Sequence, residues 1–356
     1  MTQENPRRFS PRIFYAMAAA VLFSASTPLA KHLLVSVEPA LMAGLLYLGS
    51  GLGLASFRLL WRSSRERALE ARLTKCDLPW LAAAILCGGV LGPALLMIGL
   101  ANTPASSASL LLNLEGVFTA LLAWFVFREN FDRRIAWGMV CITAGAVALS
   151  WLGPPTLGIP WSSLAIAGAC LAWAVDNNLT RKVSASDPVQ IAMLKGLCAG
   201  SVNTAMGLLM GGKIPPMPTL VASGVVGFVG YGLSLTFFVL ALRHLGAART
   251  GAYFSLAPFV GACVSVVFFG DQPTVGLLVA AGLMATGVWL HLTERHEHQH
   301  RHEPLEHDHL HTHDEHHQHL HKPGDPPGEP HSHPHRHEEI THSHPHYPDL
   351  HHRHGH

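Results

Sequence analysis

Charged residues are scarce in this sequence. Asp, Glu, Lys and Arg make up 13% of its 356 residues, whereas hydrophobic residues make up 49%. A soluble domain would carry roughly 25% charged residues. No charged residue occurs in 13–30, 39–57 or 78–114, and about 20 apolar residues are enough to cross a bilayer. The formal net charge of +1 gives no surplus of either sign that would indicate a nucleic acid or another polyanion as partner.

The sequence also lacks the short motifs of the common enzyme classes. It has no His-Glu-x-x-His, no nucleophile elbow and no phosphate loop, so we do not expect an enzyme. Its 6 cysteines contain no Cys-x-x-Cys pair, and we interpret them as small hydrophobic side chains. The first apolar segment ends in Lys31 rather than in an Ala-x-Ala site, so we expect a retained span rather than a signal peptide.

Ten apolar segments are separated by charged residues and by Pro-rich or Gly-rich joints. So many segments of this length predict an all-α membrane protein embedded in the lipid bilayer, because soluble buried helices are seldom this long and a β-barrel would show alternation. The predicted spans are 13–31, 39–57, 78–101, 104–127, 134–153, 161–180, 188–211, 219–242, 250–270 and 274–293.

Lys and Arg are distributed unequally between the two sets of span ends. One set, which includes Arg7, Arg8 and Arg12, carries 17 of them, whereas the opposite set carries Lys31 and Lys213. Because positively charged residues are retained on the cytoplasmic side, this pattern predicts a cytoplasmic N-terminal segment (1–12) and a cytoplasmic C-terminus. Because both termini are then on the same side of the membrane, the number of spans must be even.

An internal repeat relates the two halves of the chain. A shift of 142 residues aligns 100–149 with 242–291 without a gap and places Glu129 opposite Asp271 at the same helix-to-helix turn. The identical pairs are Leu100 and Leu242, Ala105 and Ala247, Leu114 and Leu256, Ala120 and Ala262, Phe127 and Phe269, and Gly145 and Gly287.

Each predicted half, 13–153 and 161–293, contains an odd number of spans. The two halves must therefore insert with opposite orientation, which is the inverted-repeat plan of many secondary transporters. A second, looser alignment sets Leu29 and Lys31 opposite Leu179 and Arg181, and it places Ser26-Thr27-Pro28 opposite Asp176-Asn177-Asn178. Helix interruptions at matching positions of two halves indicate a binding site in such carriers.

Two related motifs resemble a known family. The first contains Ala105-x-x-Ala108, Phe127-Arg128-Glu129-Asn130-Phe131 and Gly145, and the second contains Ala247, Pro258, Phe269-Gly270-Asp271-Gln272-Pro273 and Gly287. Over about 12–293 the chain resembles the EamA-type permeases of the drug/metabolite transporter superfamily. The resemblance implies two five-helix EamA-like repeats and a plasma (inner) membrane exporter or exchanger of small metabolites that requires no cofactor. One departure is Gly116, where the family usually has Pro.

Glu115 is a candidate coupling residue because of its depth. It lies 13 residues after Asn102 and 13 before Arg128, so at about 1.5 Å per residue it is roughly 20 Å from either helix end. An ionisable group near the midplane is costly and is a functional candidate by default. Because burial favours the neutral carboxyl, we expect Glu115 to take up and release a proton during transport. The alternative is a protonated Glu that is hydrogen-bonded to a neighbouring helix.

Asp176 and Lys195 lie one or two turns inside the same predicted face on consecutive spans. One prediction is an ion pair that locks these two helices together. The other is that both charges bind a charged substrate, and the sequence leaves the two open.

Asparagines supply the other candidate substrate or coupling groups. Asn113 lies near Glu115, Asn177 follows Asp176, and Asn203 lies on the seventh predicted span. Amides in a membrane either line a polar path or join neighbouring helices.

The last 61 residues hold 23 of the 26 histidines. Little apolar content and dispersed Pro, Glu and Asp predict a disordered tail over 294–356. Since neutral imidazoles bind Zn, Ni, Co and Cu, the tail is expected to bind divalent transition metals. The predicted ligands are His296, His298, His300, His307, His309, His311, His313, His331, His333, His335, His342, His344 and His346.

Three classes of function are compatible with these features: a metabolite permease, a transition-metal ion (Ni, Co, Zn or Cu) transporter, and a membrane enzyme or sensor. The tail favours the second class, but none of the other histidines, His32, His244 and His291, lies at the predicted midplane. We therefore expect a proton-coupled or facilitated carrier of a small polar metabolite, with a tail that senses or buffers metal. A homodimer is compatible with the sequence and not required by it.

Overall fold

The computed structural model is a bundle of membrane-type helices. It describes residues 11–60, 73–127, 133–151, 161–184, 186–292, 297–301, 306–311, 331–336 and 341–345. The helices are α1 (Pro11–Leu33), α2 (Pro39–Leu60), α3 (Leu78–Ala84), α4 (Gly92–Ala101), α5 (Ala105–Leu111), α6 (Leu114–Phe127), α7 (Arg133–Trp151), α8 (Trp161–Val183), α9 (Pro188–Leu209), α10 (Met217–Val226), α11 (Ser234–Phe254), α12 (Ala257–Phe269) and α13 (Val275–Leu292), with π-helices π1 (Ile85–Leu91) and π2 (Gly227–Leu233).

The prediction of a multi-pass helical membrane protein is confirmed, but length and hydropathy single out fewer than ten spans. Within the described ranges, five helices are long and apolar enough to cross a membrane. They are Ile13–Leu33, Pro39–Leu60, Leu78–Ala101, Pro188–Leu209 and Met217–Leu245. Shorter apolar helices are Ala136–Leu149, Ala257–Phe269 and Val275–Leu290.

The predicted span 104–127 is divided into two helices. Helix α5 ends at Leu111 and α6 begins at Leu114. At the interruption, the Leu110 carbonyl accepts from the backbone N–H and from the side-chain amide of Asn113, at 3.0 and 3.1 Å. Asn113 thus takes over a carbonyl that a continuous helix would pair with the N–H of Leu114.

The sequence predicts a connection between two spans at 243–249, and this prediction is wrong. Helix α11 continues through these residues to Phe254, and the chain leaves the helix at Ser255. The stretch 243–249 contains no Pro, whereas Pro258 occupies the first turn of α12. Because Pro lacks an N–H and disfavours a helical conformation in the residue before it, the break lies next to Pro258 rather than at the charged residues.

Two π-helices interrupt the spans that follow the second helix of each half. They run from Ile85 to Leu91 and from Gly227 to Leu233, and the offset of 142 residues that aligns the sequence also superimposes their ends. A π-helical turn is rare and is frequently found at functional sites. Both segments consist of apolar residues and Gly, so the sequence pattern did not predict them.

Glycines allow α2 and α9 to pack with their backbones in contact. A Cβ on Gly196 would meet the backbone of Gly51, one on Gly200 would meet Leu48, and one on Gly207 would meet Leu41. The residue numbers of these contacts increase along α9 while they decrease along α2, so the two helices run antiparallel. Small residues give membrane helices this close approach, and van der Waals packing then holds them together.

Helices α7 and α13 pack in the same antiparallel way. A Cβ on Gly145 would meet Met284 and the Ala280 carbonyl, and a Cβ on Gly287 would meet Ile142 and the Gly138 carbonyl. Gly145 and Gly287 are the two glycines that the internal repeat aligns. Each of these two equivalent glycines therefore leaves the space into which the other helix packs.

Within the tail predicted to be disordered, the structure describes four short segments. They form four strands, β1 (Glu297–Arg301), β2 (Glu306–His311), β3 (His331–Arg336) and β4 (Thr341–Pro345). Strand β1 pairs with β4 and β2 with β3, both antiparallel. The His-x-His pattern has the two-residue period of a strand, which explains why these segments pair. His296, His313 and His346 lie outside the described residues.

Replacing Gly196 by Ala is expected to lower the free energy of unfolding by about 1–3 kcal/mol, because the new methyl group would overlap the Gly51 backbone. Thermal unfolding of the purified protein in detergent measures the change. Gly282→Ala is the matched control, since a Cβ there would meet nothing within 4 Å and helix propensity favours Ala. Equal unfolding midpoints for the two variants would contradict the role of Gly196 in close packing.

Candidate functional site

A cavity with polar and aromatic walls lies inside the bundle. Its volume is about 70 Å³. Helices α1, α2, α6, α8, α9 and α11 and the π-helix π2 contribute side chains to it. The lining residues are Phe23, Tyr47, Glu115, Trp173, Asp176, Asn177, Lys195, Gly230, Tyr231, Ser234, Leu235, Phe238 and Phe254.

Asp176 and Lys195 form a buried ion pair at one wall of this cavity. The Lys195 ammonium donates to both carboxylate oxygens of Asp176, at 2.6 and 2.7 Å, and to the Thr180 hydroxyl at 3.1 Å. Thr180 in turn donates to Asp176 at 2.8 Å. Lys195 is 1% exposed and Asp176 is 6% exposed. The structure therefore contains the predicted link between the two consecutive helices, with the charges compensated by each other.

Glu115 lies on the same cavity as a half-buried side chain. The Asn177 amide donates to its carboxylate at 2.6 Å, so α6 and α8 are joined by a hydrogen bond from a neutral donor. In the part of the chain that the structure describes, no Lys, Arg or His forms an ion pair with Glu115. The carboxylate of Glu115 thus has a neutral amide as its partner, whereas the carboxylate of Asp176 has an ammonium group.

Helix α8 positions four of these side chains because of their spacing. Trp173, Asp176, Asn177 and Thr180 recur at intervals of three and four residues, which places them on one face of the helix. The asparagine that follows, Asn178, instead donates to the Ala174 carbonyl of its own helix at 2.9 Å.

The π-helix π1 supplies backbone acceptors beside this face. The Gly88 carbonyl accepts from the Tyr47 hydroxyl and from the Trp173 indole N–H, each at 2.9 Å. Gly88 is also the position against which Asp176 packs, since a Cβ there would overlap the Asp176 carboxylate. A glycine is required at this point because the carboxylate occupies the space of a side chain.

Two of the predicted site residues lie away from the cavity lining. Asn113 donates to the Leu110 carbonyl and to the sulfur of Met284, at 3.1 and 3.8 Å. Asn203 donates to the Gly89 carbonyl at 3.0 Å and links α9 to π1. The structure thus brings Glu115, Asp176, Asn177 and Lys195 together and places the other two amides in helix-to-helix contacts.

The aromatic lining residues were not predicted from the sequence. They come from α1, α2, α8, π2 and α11, and no local pattern connects them. One signal was available, because the looser repeat alignment that sets Leu29 opposite Leu179 also sets Phe23 opposite Trp173. These two rings contact each other edge to face, with centroids 5.9 Å apart.

No metal centre is formed by the residues whose positions are described: among them, no group of three or more His, Cys, Asp and Glu could hold an ion. The side chains of the tail histidines are not among those placed. The predicted metal binding of the tail therefore stays a prediction.

The geometry defines a multi-pass helical membrane protein with a polar cavity enclosed by apolar helices. The chain belongs to the EamA-like transporter family, whose family model matches it at residues 10–151 and again at 160–293. The resemblance seen in the sequence motifs is thereby confirmed.

Several similar proteins have names of the same kind. The chain is 28% identical to an uncharacterized transporter of Methanothermobacter thermautotrophicus over 288 residues, which are 77% of this chain and 84% of the relative. It is 22% identical to YedA, named an uncharacterized inner membrane transporter of Escherichia coli, over 72% of this chain and 82% of YedA. A solved crystal structure at 18% identity shares the fold, with a TM-score of 0.62 and coverage of 79% of this chain and 95% of that one.

Replacing Lys195 by Met alone is expected to destabilise the protein by about 3–5 kcal/mol, because Asp176 would remain as a buried uncompensated charge. Asp176→Asn combined with Lys195→Met is expected to recover most of that loss. Chemical unfolding of both single variants and the double variant in detergent gives the coupling energy. If the loss of stability in the double variant equals the sum of the losses in the two single variants, the two charges do not stabilise each other.

A charge reversal, Asp176→Lys with Lys195→Asp, separates a structural role from substrate binding. If the pair only locks α8 to α9, the reversed protein keeps both its unfolding midpoint and its transport rate. If the pair binds substrate, the midpoint is kept and transport is lost.

Proposed function

We propose that this chain is a secondary carrier, an exporter or exchanger of small polar metabolites, and that the cavity is its solute site. The observation that carries the proposal is the convergence of Glu115, Asn177, Asp176 and Lys195 on one cavity within a bundle of apolar helices. Polar groups at such depth are costly and mark solute or ion pathways. Membership of a transporter family favours transport over catalysis.

The two halves are proposed to be inverted repeats that form ten spans and alternate access to the cavity. Three features support this arrangement: the matching π-helices, the antiparallel contact of α2 with α9, and that of α7 with α13. When equivalent helices of two halves pack antiparallel, a local two-fold axis perpendicular to them relates the halves. A pseudo-two-fold axis in the membrane plane is the symmetry of inverted-repeat transporters.

The inner membrane is the proposed location, with both termini in the cytoplasm. The unequal distribution of Lys and Arg supports the orientation, and similarity to YedA, an inner membrane transporter by name, supports the membrane.

Glu115 is the proposed coupling residue. Its carboxyl group contacts the neutral Asn177 amide and shares the cavity with the negatively charged Asp176. In a low-dielectric site, an ionised carboxylate without a cation is costly. Glu115 is therefore stabilised when it holds either a proton or a cationic partner, and alternation between these states would couple transport to the proton gradient.

Metal-ion transport receives no support at the cavity. The described residues that line it offer carboxylates, amides and hydroxyls but include no His or Cys, the side chains that borderline metals prefer. Metal binding by the tail remains a separate proposal, supported by its histidine content and by a strand register that sets His298 opposite His344 and His309 opposite His333.

Glu115→Gln is expected to abolish the response of transport to an imposed pH gradient, because the amide keeps the shape of the side chain but cannot exchange a proton. The measurement is solute flux in vesicles that contain the purified full-length chain. Glu38→Gln is the control, since the Glu38 carboxylate accepts from the Leu41 N–H at 2.8 Å near the start of α2, away from the cavity. A wild-type rate and pH response in Glu115→Gln would show that the coupling role is wrong.

Deletion of residues 296–356 is expected to leave transport of the organic solute at the wild-type rate and to remove zinc binding by the purified protein. Flux assays and metal analysis after dialysis against zinc measure the two effects. Loss of transport on deletion, confined to metal-limited cells, would favour the metal-ion alternative. Retention of zinc by the truncated chain would place the metal site elsewhere.

A further inference from the structure

Six aromatic side chains form one connected wall around the cavity. Phe23 is at its centre, with ring centroids 5.9 Å from Trp173, 5.8 Å from Tyr231 and 5.4 Å from Phe254. Tyr231 continues the wall to Tyr47 at 5.3 Å, and Phe254 continues it to Phe238 at 5.0 Å. All six residues line the cavity.

The charges on the cavity do not sum to zero when all of them are ionised. Asp176 and Lys195 compensate each other, which leaves the carboxylate of Glu115. Among the described residues, Glu115 has a hydrogen bond from Asn177 but no ion pair. When Glu115 is ionised, the cavity therefore carries one negative charge that its own side chains do not neutralise.

Lys195 does not offer a compensating site for an anionic solute. Its ammonium group already donates to both oxygens of Asp176 and to Thr180, which uses the three donors of the group. A solute carboxylate would thus meet Glu115 without a cation to receive it. Because Asp176 and Thr180 occupy the Lys195 ammonium group, binding of an anionic solute in the cavity is disfavoured.

Aromatic faces and a carboxylate attract the same kind of ligand. The ring face carries the negative part of the aromatic quadrupole and binds ammonium groups, and quaternary ammonium ions are recognised by aromatic cages in this way. The effect grows when the cation is desolvated, as it would be inside a bundle of apolar helices.

The Tyr231 hydroxyl adds a polar contact on the same wall. Tyr231 is 5% exposed, and its hydroxyl has no hydrogen-bond partner among the described residues. Ser26 lies within hydrogen-bonding reach of it and itself donates to the Phe23 carbonyl at 2.6 Å, so the Ser26 oxygen is the one neighbouring acceptor. A buried hydroxyl with so few partners is costly, and a solute that supplies a further one is favoured.

From these contacts we infer that the carrier recognises small organic cations. The ammonium group of the solute lies between Glu115 and the aromatic wall, its apolar substituents lie against the rings, and a polar substituent meets Tyr231. This inference rests on the proposed transport function and names the class of solute for the same site.

Choline and its uncharged isostere, in which carbon replaces the quaternary nitrogen, test the inference directly because they differ only in charge. Binding is measured by titration calorimetry on the purified full-length chain. Choline is expected to bind more than about tenfold tighter than the isostere. Glu115→Gln is expected to reduce this preference about tenfold, since it removes the carboxylate charge and leaves the aromatic rings in place. Equal affinities in the wild type, or an unchanged preference in Glu115→Gln, would overturn the inference.

A second pair of variants tests the aromatic wall. Phe23→Leu preserves an apolar side chain and removes the ring face, and it is expected to weaken choline binding about three- to thirtyfold while affecting the isostere little. Phe268→Leu is the matched control, because Phe268 is 76% exposed on the outside of the bundle. Equal loss for choline and the isostere in Phe23→Leu would mean that the ring contributes shape only, and would overturn the role of the wall.

Flux assays in phosphatidylethanolamine and phosphatidylglycerol vesicles separate this inference from the proposed function. Cationic, neutral and anionic solutes of similar size are compared with protein-free vesicles. Selective flux of cations supports both proposals. Flux of neutral or anionic solutes without flux of cations overturns the inference and keeps the carrier, whereas no flux of any class overturns the carrier and the inference with it.

Discussion

Polar groups inside hydrocarbon must find partners within the protein, because no water is available to them. This constraint governs how the polar residues of the bundle are arranged. Lys195 and Asp176 satisfy each other, and the Gly88 carbonyl of π1 accepts from both Tyr47 and Trp173. Lys31 caps the carbonyls of Leu100 and Ala101 at the end of α4. Against this background, Glu115 has only an amide partner, and the Tyr231 hydroxyl is one of six buried side-chain polar atoms without a partner among the described residues. Both residues line the same cavity.

The two halves share packing positions but differ in their charged groups: Glu115 comes from the first half, and Asp176 and Lys195 come from the second. The two π-helices and the glycines Gly145 and Gly287 occur at equivalent positions. At the contact beside each π-helix, however, Asp176 faces Gly88 in one half and Ser26 faces Gly230 in the other. Both halves have a glycine at this position, but a charged side chain packs against the glycine in only one of the two contacts. Duplication of a helical framework thus allows one copy to specialise without loss of packing.

Much of this arrangement could be predicted from the sequence because long uncharged segments and isolated polar residues are conspicuous. Glu115, Asp176, Asn177 and Lys195 converge on the cavity as their depth along the predicted spans suggests. The π-helices could not be predicted, since residues such as Val90 and Phe228 are ordinary constituents of any apolar helix. The aromatic wall was missed for a different reason: its members are separated by up to 231 positions, from Phe23 to Phe254, and only the packing of distant helices unites them.

The ion pair between α8 and α9 has a consequence for how the chain enters the membrane during synthesis. These helices are consecutive and joined by the short segment 184–187, so Lys195 follows Asp176 out of the ribosome within 19 residues. A hairpin that inserts with the pair already formed presents no net charge to the lipid, whereas either helix alone would carry a penalty of about 3 kcal/mol on translocon insertion scales. Biogenesis of this region is thereby tied to the two helices arriving together.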